Sequence, residues 1–127
     1  MLRDFLMEMA RRPFEWGRCD CSLLLADWWA RVHGKDPAAH LRGTYTTEDE
    51  CAAVLAHEGG RLRLVARLAR SVGAERALAP APGDFGAVRY GGQHVPAIMA
   101  PDGKWAGKSL SGLLVFTPEK IAVAWKI

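Results

Sequence analysis

Apolar residues recur at helical spacing through the first half of this chain and at strand spacing through the second. Leu2, Phe5, Leu6 and Met9 fall on one face, which predicts a helix over 2–12. Pro13 ends it, because a proline disfavours helical backbone in the residue before it. Cys21, Leu24, Leu25, Trp28 and Val32 predict a second helix over 21–33, with Asp20 as its N-cap and Gly34 as its stop. Thr47 and Glu50 have capping-box spacing for a third helix over 48–57, closed by Gly59 and Gly60. Leu62, Val65, Leu68 and Ala69 define the inner face of a fourth over 61–72, which leaves Arg61, Arg63, Arg67 and Arg70 in solvent.

The texture changes after Gly73. Ala79-Pro80-Ala81-Pro82-Gly83 reads as a turn or short linker. Short apolar runs follow, and predict strands over 84–90, 94–99, 113–116 and 122–127, with a weaker one over 104–106 and a turn over 118–121. Helices first and an antiparallel meander afterwards is an α+β order, with N-terminal helices packed on a C-terminal sheet. The 127 residues suit one domain, 1–127, with one core.

A net charge of +3 leaves the chain mildly basic. Its arginines are scattered, so they read as a solvated surface and not as a nucleic-acid stripe. Cys19, Cys21 and Cys51 are odd in number and imply no disulfide framework, which fits synthesis in a reducing cytoplasm. Arg3, Asp4, Glu8, Arg11 and Arg12 make the first segment too charged for a signal peptide or a membrane span. Cys19-x-Cys21 lacks further ligands at metal-binding spacing, and the Gly-Gly pairs are not phosphate loops, so no metal and no cofactor is expected.

The strongest chemical signal is Trp16-Gly17-Arg18-Cys19-Asp20-Cys21-Ser22 ahead of Leu23-Leu24-Leu25. A cysteine in the first turn of a helix meets open backbone amides and the positive end of the dipole, and both favour the thiolate. Such amides can also hold an oxyanion. The plain alternative is a small buried cysteine. A thiol nucleophile needs a base, and His94, which opens His94-Val95-Pro96-Ala97-Ile98, is the candidate. A histidine at the start of a strand can meet a helix docked on the sheet; otherwise it is an exposed turn residue. His33, His40 and His57 lie in helical or loop segments with no reason to face Cys21.

These stretches resemble the NlpC-type cell-wall cysteine peptidases, compact papain-like enzymes. In that family an aromatic Trp-Gly stretch leads to Asp-Cys-Ser at the head of the catalytic helix. A Pro-Gly-Asp then opens one strand and a His-Val strand carries the base. Pro13-Phe14-Glu15-Trp16-Gly17, Asp20-Cys21-Ser22, Pro82-Gly83-Asp84 and His94-Val95 follow in that order. The resemblance implies a papain-like, NlpC-like fold with Cys21 as nucleophile and His94 as base. Asp20, Ser22, Trp16 and Gly17 would support the motif or the oxyanion. Phe14 departs from the family's usual tyrosine, and no polar third residue follows His94 on the next strand.

The whole chain is also similar to a small family found among phage tail genes. That family has Phe-x-Trp-Gly-x-x-Asp-Cys near its start and Ala-Trp-Lys/Arg at its end, here Ala124-Trp125-Lys126. This similarity implies a virion tail-tip component made in the bacterial host cytoplasm. Its partners would be other tail-tip proteins and, if it is an enzyme, peptidoglycan peptides. An inactive structural protein of the tail is the alternative. Trp29, Trp105 and Trp125 are the expected contact surface for tail partners.

Overall fold

The structure is a computed structural model that describes residues 1–127. Four helices come first: α1 (Leu2–Arg11), α2 (Leu23–His33), α3 (Glu48–Glu58) and α4 (Arg61–Ser71). Five strands follow: β1 (Phe85–Tyr90), β2 (Gln93–Met99), β3 (Trp105–Ser109), β4 (Gly112–Phe116) and β5 (Lys120–Trp125). They form one sheet in the order β4-β3-β2-β1-β5, and every paired neighbour is antiparallel. The α+β order expected from the sequence is the observed one.

The helix ends have identifiable causes. Arg12 takes extended backbone before Pro13 and closes α1. Gly34 and Gly59 end α2 and α3 in the left-handed region. Thr47 accepts the Glu50 amide, as the capping box requires. The Glu50 carboxylate, however, reaches back one residue further, to the Thr46 amide at 2.9 Å.

The main core lies between the helices and one face of the sheet. Phe5, Met9, Leu24, Leu25, Trp28 and Val65 meet Phe85, Ile98 and Ala106 there. Each large apolar side chain so buried contributes about 1.5–3 kcal/mol. The other face is filled by the sheet itself: Val88, Ala97, Trp105, Phe116 and Ala124, with Ala77 from the segment ahead of β1. Leu23, Leu41, Leu64 and Leu68 form a smaller cluster under the loop after α2.

The tryptophans correct the sequence reading. Trp29, Trp105 and Trp125 are all buried and present no contact surface. Trp29 and Trp125 both pack on Phe85, while Trp105 occupies the second core. The exposed large apolar side chains are instead Met1 and Met7 at α1, Leu78 ahead of β1, Tyr90 at the end of β1, and Leu110, Leu114, Val115 and Ile121 on the edge strands and the turn between β3 and β4.

The weak strand over 104–106 is in fact β3, and it runs on through Gly107 to Ser109. Likewise β5 begins at Lys120, where a turn was expected. Lys108 explains the first difference. It is buried, 4% exposed, and donates to the Met9 carbonyl at 2.6 Å and to the Arg12 carbonyl. Its ammonium thus satisfies two open carbonyls at the end of α1, where a cation is favoured, and pins α1 to β3. We expect Lys108→Met to lower the unfolding free energy by about 1–3 kcal/mol, because those carbonyls lose their donor. Urea denaturation checks this; an unchanged midpoint would show that the pin is energetically idle.

Candidate active site at the head of α2

The segment between α1 and α2 makes a tight elbow. Glu15 and Cys19 bridge across it, and Phe14 and Trp16 lie edge to face with ring centroids 4.7 Å apart. Gly17 sits at φ 79°, and a Cβ there would come within 2.1 Å of the Tyr45 carbonyl oxygen. Only glycine fits at that position. The Gly17 carbonyl also accepts the Gly43 amide at 2.9 Å, which ties the elbow to the loop after α2.

Asp20 is the centre of this arrangement. It is 1% exposed, and four donors converge on its carboxylate. Oδ1 accepts the amides of Ser22 at 3.1 Å and Leu23 at 3.0 Å. Oδ2 accepts the Gly17 amide at 2.9 Å and the Tyr45 hydroxyl at 2.6 Å. The Asp20 carbonyl accepts the Leu24 amide at 3.2 Å, the first bond of helical type. The Asp20 carboxylate thus caps the turn that leads into α2, while the helix itself starts at Leu23 with Ser22 at its N-cap, so Cys21 lies in that turn and not, as expected, in the helix.

Cys21 is partly exposed, with its sulfur 4.0 Å from the Ser22 hydroxyl. Ser22 is buried and also lines a small cavity of about 10 Å³ with Leu25, Trp29 and Val65. The guanidinium of Arg61, at the start of α4, stands beside the thiol; its charge and its N–H groups both favour the thiolate. Arg61 also donates to the Gln93 side chain at 3.3 Å, which links the head of α4 to the start of β2. Cys51 is buried on α3.

His94 follows Gln93 and pairs with Arg89 in the β1–β2 ladder. Strand alternation puts His94, Pro96 and Ile98 on one side, and Ile98 is part of the core under α2 and α4. His94 therefore occupies the helix-facing side of β2 and is partly buried, whereas His33, His40 and His57 are exposed. The neighbouring strand offers it no polar third residue. Lys108, opposite the Pro96 position by extension of the β2–β3 register, is committed to the α1 carbonyls.

The thiol differs from its sequence expectation. Burial pushes Cys21 above its ordinary 9.0, and the neighbouring Asp20 carboxylate adds to the rise; Arg61 opposes both. The same carboxylate that organises the helix start therefore works against a resting thiolate. Cys19 is raised by burial, Cys51 is pushed up to about 11 mainly by burial, and the Tyr45 hydroxyl is raised by burial and by its bond to Asp20.

Two residues of this site escaped the sequence reading. Tyr45 had no local motif; only the fold carries it 25 positions along the chain to Asp20. Arg61 belongs by spacing to a solvated face, yet it is partly buried while Arg63, Arg67 and Arg70 are exposed. Its place directly after Gly59-Gly60 was the usable signal, since a helix start need not follow the amphipathic pattern. Gln93, the residue before His94, is part of the site too, its side-chain oxygen accepting from Arg61.

An α+β domain with a cysteine at a carboxylate-capped helix start is the class that fold and site define. The chain belongs to the family described as Domain of unknown function (DUF6950), whose model matches residues 1–127. No curated protein and no solved structure matches it.

Two outcomes follow from the geometry. Asp20→Asn puts an amide donor against donors already in place and is expected to cost about 2 kcal/mol or more, read by chemical denaturation. The raised thiols have a consequence at alkaline pH. The folded chain holds these protons longer than the unfolded one, so above pH 9.0 the unfolded state binds fewer protons and stability falls. Urea midpoints are expected to drop as pH rises through that value, and Cys51→Ala should make the drop shallower. A pH-independent midpoint would contradict the raised thiols.

Proposed function

We propose that this domain is a thiol hydrolase of the NlpC-like kind that cuts amide bonds in peptidoglycan peptides as part of a phage tail tip. The observation that carries the reading is Cys21 at the capped head of α2, with His94 on the helix-facing side of the strand those helices cover. In this mechanism His94 takes the Cys21 proton as the sulfur attacks the carbonyl carbon. The Cys21 amide, which Asp20 leaves free while it takes those of Ser22, Leu23 and Leu24, stabilises the oxyanion, and His94 returns the proton to the leaving amine. Water then attacks the thioester and frees the acid.

A raised thiol pKa is compatible with this route if the proton leaves only as attack occurs. It also favours a second reading, an inactive scaffold protein of the tail. The commitment of Lys108 to α1 and the absence of a polar partner for His94 on β3 point the same way.

Incubation of the purified protein with peptidoglycan peptides, followed by mass spectrometry, separates the two. The hydrolase reading expects cleavage that falls by at least about a thousandfold in Cys21→Ala and in His94→Ala. No cleavage by a folded wild type, with Cys21→Ala phages still infectious, would establish the scaffold reading instead. Detection of the chain in purified particles tests the tail assignment separately; absence from them overturns it.

A further inference from the structure

The chain treats the two edges of its sheet differently. The outer edge of β5 is covered from within by the segment ahead of β1. There the Ala77 amide donates to the Ala124 carbonyl at 2.9 Å, the Lys126 amide donates to the Glu75 carbonyl at 2.8 Å, and Arg76 bridges Trp125 between them. β4, at the other edge, has no such cover. Ser109 and Gly112 close a two-residue turn and so exchange the inner hydrogen bonds of the β3–β4 hairpin. Alternation then points the N–H and C=O groups of Leu113 and Val115 away from β3. No backbone hydrogen bond meets them from elsewhere in the chain.

Natural sheets guard an open edge with a charge, a proline or a bulge, because it is a template for another strand. Gly112-Leu113-Leu114-Val115-Phe116 has no charge and no proline, and its register with β3 is unbroken. Leu114 and Val115 are exposed on it, and Leu110 is exposed at the turn beside it. On the helix side α1 runs along the strand. A Cβ on Gly112 would lie 3.4 Å from the Ala10 carbonyl oxygen, and Val115 shares a groove with Arg3, Leu6 and Met7. Met7 is exposed and extends the apolar rim.

We propose that β4 is an interface for a second copy of this chain, pairing antiparallel with the partner's β4 about a two-fold axis at Leu114. Three features of the strand favour a copy of itself as the occupant. It carries no charge, so two copies meet there without like-charge repulsion. Centred on Leu114, the register sets Leu113 opposite the partner's Val115, so the open N–H and C=O groups of each strand are met by those of the other. The same register sets bulky Phe116 opposite the partner's Gly112, which has no side chain to obstruct it. Since the β5 edge is occupied, each copy has one free edge, and assembly closes at a dimer in which two five-stranded sheets become one. The pairing involves neither Cys21 nor His94, so it stands or falls apart from the proposed hydrolase.

Sedimentation velocity of the purified chain over a series of concentrations tests it. The wild type is expected to pass from monomer to dimer as concentration rises and to go no further. Leu114 meets its own copy on the axis, so Leu114→Lys and Leu114→Glu each set like charges face to face. Each alone is expected to weaken association by at least about tenfold. An equimolar mixture of the two should restore the dimer, because a lysine then meets a glutamate. Circular dichroism establishes that each variant is folded.

Amide hydrogen exchange of the wild type decides the matter even if both variants misfold. The Leu113 and Val115 amides are expected to exchange fast in dilute solution and to become protected in concentrated solution. A chain that stays monomeric at every concentration overturns the second copy and leaves the edge to a strand of another protein. A dimer that survives both single variants overturns the β4 seam, as does protection of the two amides that does not change with concentration. Growth past the dimer into larger assemblies overturns the two-fold pairing.

Discussion

The structure depends most on one buried carboxylate. Asp20 gathers the elbow at Gly17, the first turn of α2 and the Tyr45 hydroxyl around a single charge. A carboxylate out of water is tolerated only when its lone pairs are met, and here four donors meet them. Two of those donors are open amides of a helix start, where negative charge is favoured in any case. Tyr45 reaches Asp20 because the loop before it is braced in turn: Arg42 donates to Asp27 on α2 and to Asp36 in the loop. Leu41 and Ala38 of the same loop are buried under α4 and the head of α2. The position of Cys21 is thus an outcome of the cap, the loop and the core together.

The same charge shapes the chemistry. Burial and Asp20 hold the Cys21 proton on, and Arg61 and the Ser22 hydroxyl pull the other way. On the proposed mechanism such a thiol gives up its proton to His94 only as it attacks the carbonyl. Papain-like enzymes with a standing ion pair would differ in this respect.

How much of this was legible in the sequence varies with the physical scale of the signal. Local signals were read correctly: the proline that ends α1, the Asp20 cap, the Thr47 cap and the glycine stops of α2 and α3 are each decided within a few residues. The order of helices and strands followed from periodicity. The limits of β3 did not, because Gly107, Lys108 and Ser109 look like a loop until Lys108 is seen to meet the carbonyls of α1, almost a hundred residues away. Tryptophan burial was misjudged for a related reason. A sequence does not reveal that the sheet fills its second face with its own side chains, which takes in Trp105. The role of Arg61 was hidden by the amphipathic rule itself, since the first residue of a helix answers to the loop and the neighbouring helix as much as to its own face.

The most direct measurement is hydrogen exchange at the amides of Gly17, Ser22 and Leu23, resolved by NMR in the wild type and in Tyr45→Phe. If the Asp20 carboxylate is the hub, all three amides are strongly protected in the wild type, although helix starts ordinarily fray. Removal of the one hydroxyl should then speed their exchange together while the core of the sheet, around Val88 and Ile98, keeps its protection. Rapid exchange of these amides in the folded wild type, or a change confined to Gly17, would contradict the account, because the head of α2 would then be held by something other than Asp20.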